Sequence, residues 1–293
     1  MSRVKENGTA SPSYLDFKII GHRTNLVCIE QVFGLKYFFM RYVRFEISGK
    51  KEYGVLNDHT VQKYEGKPFK YLEPTQEFYS LEEVKLLAPC EPSKIIAMGL
   101  NYHSHAKEMD MPLPNSPLTF LKPSTAVIGP DDDIIYPSAS TRVDYEGEVA
   151  VVIKKAGWRI SREDAMDYVL GYACFNDITA RDLQKVDVQW TRAKGFDTFA
   201  AIGPWIETDL DHADINIETY LNGKLKQKGN TCDLIYTVPE IINFISNVMT
   251  LLPGDIIATG TPSGIGPMYP GDVVEIKIDS VGTLRNKVIK NGV

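Results

Sequence analysis

Apolar and polar positions along the chain mark out a strand-rich protein with few helices. Met40-Arg-Tyr-Val-Arg-Phe-Glu-Ile-Ser-Gly49 alternates well enough for a half-buried strand that Gly49 ends. Residues 52–56 and 60–64 read as further short strands around a polar Asn57-Asp58 turn. Residues 95–98 form a short apolar run. The Leu252-Pro-Gly-Asp255 turn leads into another strand at 256–259. Near the end, Val274, Ile276 and Ile278 alternate with Glu275, Lys277 and Asp279, the period of a one-sided strand. Two segments carry a helix-start signature. Ser161 with Asp164 predicts a helix that Gly171 ends, and Thr237 with Glu240 predicts a second. In the second, Ile241, Ile242, Phe244, Ile245, Val248 and Met249 fall at helical spacing and belong to a core. Helices do not alternate with strands, so the pattern predicts an α+β fold with mixed or antiparallel sheets.

Three regions follow. Residues 1–39 read as a poorly packed N-terminal extension, with a Ser/Gly/Thr/Pro cluster at 7–13 and a start that an intact mass would check. Residues 40–90 read as a small β-rich N-terminal domain. Residues 91–293 hold the catalytic candidates. Ala88-Pro-Cys-Glu-Pro92, with two prolines close together, reads as a linker or an edge between them.

Composition narrows the function classes. The 293 residues carry 32 Lys+Arg against 38 Asp+Glu, a net charge of −6, with no basic run, which argues against a nucleic-acid footprint. No uncharged apolar stretch approaches the ~20 residues that span a bilayer, and no secretory signal pattern is seen, so the expected setting is cytoplasmic and away from membranes. Cys28, Cys90, Cys174 and Cys232 are scattered with no CxxC pair; each is expected to be a small buried apolar residue in a reduced compartment.

In Val143-Asp-Tyr-Glu-Gly-Glu-Val-Ala-Val-Val-Ile153, Asp144, Glu146 and Glu148 occupy successive period-two positions ahead of a buried strand. Such carboxylates repel one another unless water or a cation compensates. An all-oxygen set suits a hard ion, Mg2+ first, then Mn2+ or Ca2+. The alternative is a solvated acidic strand end. Gly147 between them leaves room for a close backbone approach. Asp177 offers a further ligand or, equally, a helix cap; Asp182 is expected to pair with a surface base. His105 and Glu108 are three apart and share a helix face, where the carboxylate would hold one ring nitrogen and leave the other as a base; the alternative is a surface contact. His103 points elsewhere and reads as structural or solvent-facing. Thr259-Gly-Thr-Pro-Ser-Gly-Ile-Gly266 is neither a P-loop nor GxGxxG, and reads as a tight turn whose N–H groups and Thr261 hydroxyl are able to bind a carboxylate.

The ordered set Asn101-Tyr-His-Ser-His-Ala-Lys-Glu108, Phe120-Leu-Lys-Pro-Ser124, Asp144-Tyr-Glu-Gly-Glu148, Asn176-Asp-Ile-Thr-Ala-Arg-Asp182, Ala193-Lys194 and Thr259-Gly-Thr-Pro262 resembles the fumarylacetoacetate hydrolase superfamily over about residues 93–288. That resemblance implies a β-roll catalytic domain that usually forms a homodimer. It implies Glu146, Glu148 and Asp177 as ligands of Mg2+ or Mn2+. Lys122, Gln184, Lys194 and Thr261 would contact substrate or support the metal shell, with Lys194 adding positive charge. His105 and Glu108 would be a dyad on a mobile lid. The implied reaction is hydrolysis of a carbon–carbon bond in a 2,4-dioxo acid of acylpyruvate type, through a metal-stabilised pyruvate enolate. Oxaloacetate decarboxylation and 2-hydroxy-dienoate isomerisation use the same enolate, and a non-catalytic 2-oxoacid-binding protein is a minor alternative. Leu100 stands where many acylpyruvate-cleaving relatives have Arg.

Overall fold

The computed structural model describes residues 40–291. The expectations for residues 1–39, Cys28 included, lie outside the described residues.

The centre of the fold is the antiparallel pair Gly147–Ile153 and Val169–Asp177. Gly147–Ile153 is buried throughout because its two faces serve two cores. Val149, Val151 and Ile153 join one apolar cluster, and Ala150 and Val152 join another. A strand covered on both sides reads as a continuous apolar run, as this one does. On one flank the sheet continues through Ile256–Ala258, Ile95–Met98 and Thr119–Lys122. On the other it continues through Ala200–Glu207 to Arg41–Ile47, Lys50–Asn57, Thr60–Lys67 and Tyr71–Ser80. Arg41 lies opposite Glu207 and Tyr42 opposite Ile206, so the segment expected as a small N-terminal domain is hydrogen-bonded into the same sheet as the site.

A second sheet runs Lys224–Asn230, Asn216–Leu221, Val273–Ile278, Gly282–Lys290 and Asp133–Tyr136. Its inward side chains Ile217, Val274, Ile276 and Ile278 meet Val149 and Val151, which accounts for the one-sided alternation seen at 274–279. The fold is therefore the strand-rich α+β arrangement expected. Helix Val238–Val248 begins at the expected Thr237–Glu240 capping box and buries Ile241, Ile242 and Ile245.

Three expectations are corrected. Ser161 and Asp164 do bond to each other, but they open only a single 3-10 turn, Ala165–Tyr168. Gly171 ends no helix and instead sits within Val169–Asp177, where a Cβ would meet Glu207 O at 2.3 Å. Close strand approach, not helix termination, requires that glycine. Ala88 and Cys90 are buried, so the 88–92 stretch is packed and is no exposed linker. Cys90 and Cys174 are buried as expected, whereas Cys232 is exposed in the turn Thr231–Asp233.

Candidate metal centre and adjoining cleft

Where the antiparallel pair ends, its register sets acids side by side. Gly147 lies opposite Asn176, and the Asp177 amide donates to Glu146 O at 2.9 Å. The Asn176 side-chain oxygen accepts from the Glu146 amide at 3.0 Å. One carboxylate oxygen from each of Glu146, Glu148 and Asp177 then lies within 4.8 Å of the others, and all three residues are buried. Gly147 permits this because a Cβ there would meet Thr219 Oγ1 at 2.1 Å.

The surroundings of the three acids are unequal. Lys194 Nζ donates to Glu146 Oε2 at 2.8 Å and to Asp177 Oδ2 at 2.5 Å. The fully buried Lys122 ammonium donates to Asp177 Oδ1 and to Ile178 O, the latter at 3.1 Å. Among the described residues Glu148 receives only the Gly260 amide, at 2.8 Å on Oε2, and its buried Oε1 has no partner. Burial pushes the Glu148 carboxyl well above the ordinary carboxylate range, and the charges of Asp177 and Glu146 add to this against Lys194 and the Gly260 amide. Burial acts in the same direction on Glu146, but Lys194 and Arg181 outweigh it and hold that carboxyl well below its usual value. Burial lowers the Lys122 ammonium, and for Lys194 the carboxylates of Asp177 and Glu146 overcome burial and raise it.

Asp144 leaves the acidic row. The strand breaks at Glu146, between Val143–Tyr145 and Gly147–Ile153, and Asp144 turns to Arg142 and Arg181 instead. Asp177 caps no helix, since the Arg181–Val186 helix starts from Ala180 without a side-chain cap. Asp182 pairs with no base among the described residues; it accepts from the hydroxyls of Ser140 and Thr141 at 2.6 and 2.9 Å.

A cleft of about 230 Å³ opens over Glu146 and Glu148 and is lined also by His105, Gln184, Lys194 and Thr261. His105 lies on the short helix His103–Glu108, and its Nδ1 is 2.9 Å from Glu108 Oε2, as the spacing predicts. His103 on the same helix is exposed. The Thr259–Gly266 turn does bind carboxylates, and both belong to this chain: Gly260 N donates to Glu148, and Gly264 N donates to Glu108 at 2.9 Å. One turn therefore links the dyad to the acid cluster. Lys122 does not line the cleft and touches Asp177 from behind.

Three residues given no role by sequence reading hold this arrangement. Arg181 donates to Asp144, to Glu146 and, at 2.6 Å, to Gln184. The three-residue spacing of Arg181 and Gln184 on one short helix was the available signal. Gln227 accepts from Gly147 N at 2.9 Å and donates to Thr261 Oγ1 at 2.8 Å, and that hydroxyl donates to Gly147 O at 2.8 Å. Asn101 donates to Thr259 O at 2.7 Å and accepts from Tyr236 N at 2.9 Å.

The donor set fits a hard divalent ion. It offers three carboxylates, no thiolate or imidazole, and one buried oxygen left without a partner.

Comparison with known proteins agrees. Residues 40–89 match a family model described as Rv2993c-like, N-terminal. Oxaloacetate tautomerase YisK of Bacillus subtilis is 45% identical over 225 residues, which is 72% of this chain and 75% of the relative. The solved 2-hydroxyhepta-2,4-diene-1,7-dioate isomerase of Mycobacterium marinum superposes with a TM-score of 0.81 at 41% identity, covering 87% of this chain and 100% of that one. Maleylpyruvate hydrolase from Sphingobium sp. SYK-6, solved with manganese(II) and pyruvate, gives 0.73 at 33% identity, covering 86% of this chain and 100% of that one. These relatives are enzymes. Residues 94–289 match the model described as fumarylacetoacetate (FAA) hydrolase C-terminal, and the chain belongs to the fumarylacetoacetate hydrolase family.

Proposed function

We propose that this protein is a divalent-metal-dependent hydrolase that cleaves the carbon–carbon bond of 2,4-dioxo acids of acylpyruvate type. The partnerless Glu148 oxygen among three buried carboxylates, on the floor of the cleft that His105 also lines, carries the reading. Glu146, Glu148 and Asp177 would hold Mg2+ or Mn2+. When bound, such an ion supplies Lewis acidity to a 2-oxo carboxylate and offsets negative charge developing on its keto oxygen.

The chain's own groups do the rest. Glu108 accepts from His105 Nδ1–H, which leaves Nε2 as the proton acceptor. Nε2 takes a proton from water, and the resulting hydroxide adds to the 4-keto carbon. The C3–C4 bond then breaks, its electron pair remains on the three-carbon fragment, and the proton on His105 passes to C3. Water and acylpyruvate thus give a carboxylic acid and pyruvate. Lys194, with two N–H groups on Glu146 and Asp177, keeps its third for a substrate oxygen.

Keto–enol tautomerisation of oxaloacetate is the second reading, favoured by the likeness to YisK, and it uses the same base without an attacking water. Turnover of acetylpyruvate, fumarylpyruvate and oxaloacetate with Mn2+ or Mg2+, against an EDTA control, separates the readings. Metal-dependent release of pyruvate from an acylpyruvate, lost in His105→Ala, is expected. Oxaloacetate conversion alone would leave the tautomerase reading if no CO2 is released and the decarboxylase reading if it is, and oxalate binding without any turnover would leave a 2-oxoacid-binding protein.

A further inference from the structure

The two ends of the cleft differ in kind. At the floor stand Glu146 and Glu148 with Lys194 and Arg181. The outer wall is formed by Leu100, Met109, Met111, Leu118 and Trp190. Met109, Met111 and Leu118 are 44%, 49% and 45% exposed, so they present apolar surface that the described residues leave uncovered. Phe120 joins the two ends: its ring lies 4.9 Å from Lys194 Nζ and 5.3 Å, edge-on, from the Trp190 ring. Gly99 lets Leu118 close against this wall, since a Cβ there would meet Leu118 Cδ2 at 2.8 Å.

The cations lining this cleft both stand at its floor, and the one N–H that Lys194 keeps free faces the 2-oxo acid head and not the tail. Arg181 is held by Asp144, Glu146 and Gln184, and Lys194 by Glu146 and Asp177. No Lys or Arg lies on the outer wall among the described lining residues. A second carboxylate on a substrate would face Met, Leu and Trp side chains and lose its hydration without a partner. A hydrocarbon group there would cover exposed apolar surface, and the unbranched Met side chains adapt to its shape.

We propose that the outer wall makes this enzyme selective for 2-oxo monocarboxylates with an apolar tail, such as acylpyruvates with a hydrocarbon acyl group, over dicarboxylates. Leu118, Leu100 and Trp190 are the specificity-determining residues. The inference rests on the reading of the cleft as a 2-oxo acid site. It separates this chain from relatives whose names specify dioic or oxaloacetate substrates.

Binding and turnover test it on the metal-loaded enzyme. By calorimetry with Mn2+, 2-oxooctanoate should bind at least about tenfold more tightly than 2-oxoglutarate, because the latter must desolvate a second charge. Along acetyl-, butyryl- and hexanoylpyruvate, kcat/KM should rise about fourfold per methylene, the ~0.8 kcal/mol of a buried CH2. Leu118→Arg, at an exposed position that leaves the fold intact, should reverse the preference toward 2-oxoglutarate and fumarylpyruvate. Equal or tighter binding of 2-oxoglutarate to wild type, or a kcat/KM indifferent to chain length, overturns the selectivity while leaving the 2-oxo acid site standing. Binding of neither 2-oxo acid overturns the site reading and the selectivity with it.

Discussion

Asp255 and Glu148 are both fully buried carboxylates near the ends of the central sheet, yet they are solvated in opposite ways. Asp255 Oδ1 accepts from Ser93 N at 3.1 Å, Ser93 Oγ at 2.6 Å and Lys94 N at 3.3 Å. Its Oδ2 accepts from Leu252 N at 2.8 Å and from the Lys94 ammonium. Both oxygens are therefore satisfied by groups that tie the start of Ile95–Met98 to the turn before Ile256–Ala258. Glu148 holds one backbone amide, has a bare oxygen, and sits beside two more acids. A buried charge with complete partners is a structural clasp. One with an empty acceptor among like charges calls for something from outside the chain.

Each side of that contrast can be broken separately. Glu148→Gln should lower kcat/KM by about 10³-fold or more, since a metal contributes several kcal/mol to charge stabilisation. In metal-free protein its unfolding midpoint should stay level or rise, because a buried acid beside two others becomes a neutral amide; a steady-state assay and a thermal melt in EDTA check both. Asp255→Ala should do the reverse. Stability should fall by about 3–5 kcal/mol, toward the lower end since Lys94 reaches solvent, as read in urea. Activity per folded molecule should be kept.

Gln227→Leu sharpens the comparison by loosening the acid cluster without touching it. The Gly147 amide and Thr261 hydroxyl lose their common partner, and metal affinity should weaken by about 10–100-fold in a fluorescence titration. The smallest effect belongs to Asp182. Burial works against its charge, but the Ser140 hydroxyl and the amide and hydroxyl of Thr141 hold its carboxyl at about 2, against an ordinary 3.8. Its folded-state value is depressed, so its contribution is fully present above about pH 4 and is lost as pH falls through the folded value. Asp182→Asn should flatten that part of the acid-unfolding curve and change little at neutral pH.

Much of the architecture was legible because it follows local periodicity. Val273–Ile278 alternates over a single core, and Val238–Val248 carries its capping box and apolar stripe in consecutive residues. Failures came where neighbours distant in sequence decided the outcome. The Ser161–Asp164 bond exists, yet pairing with Ala200–Glu207 draws the following residues into a strand. The His105–Glu108 pair was readable because a short helix fixes its geometry locally. Asp144 was not, because its partner Arg181 lies 37 positions away.

Local pattern carried the strand-rich character, the capped helix, the His105–Glu108 spacing and a row of acids, Asp144, Glu146 and Glu148, with Asp177 left as either a further ligand or a helix cap. Which acids meet depends on packing, since Glu146 and Glu148 reach Asp177 through cross-strand register while Asp144 is taken by an arginine. Gln227 had no signal at all: it is one polar residue among lysines on Lys224–Asn230, and becomes a support only when a second sheet brings it to Gly147. The difference is one of range. Periodicity and capping act within a few residues, whereas a buried charge is stabilised by whichever groups the packed sheets deliver to it.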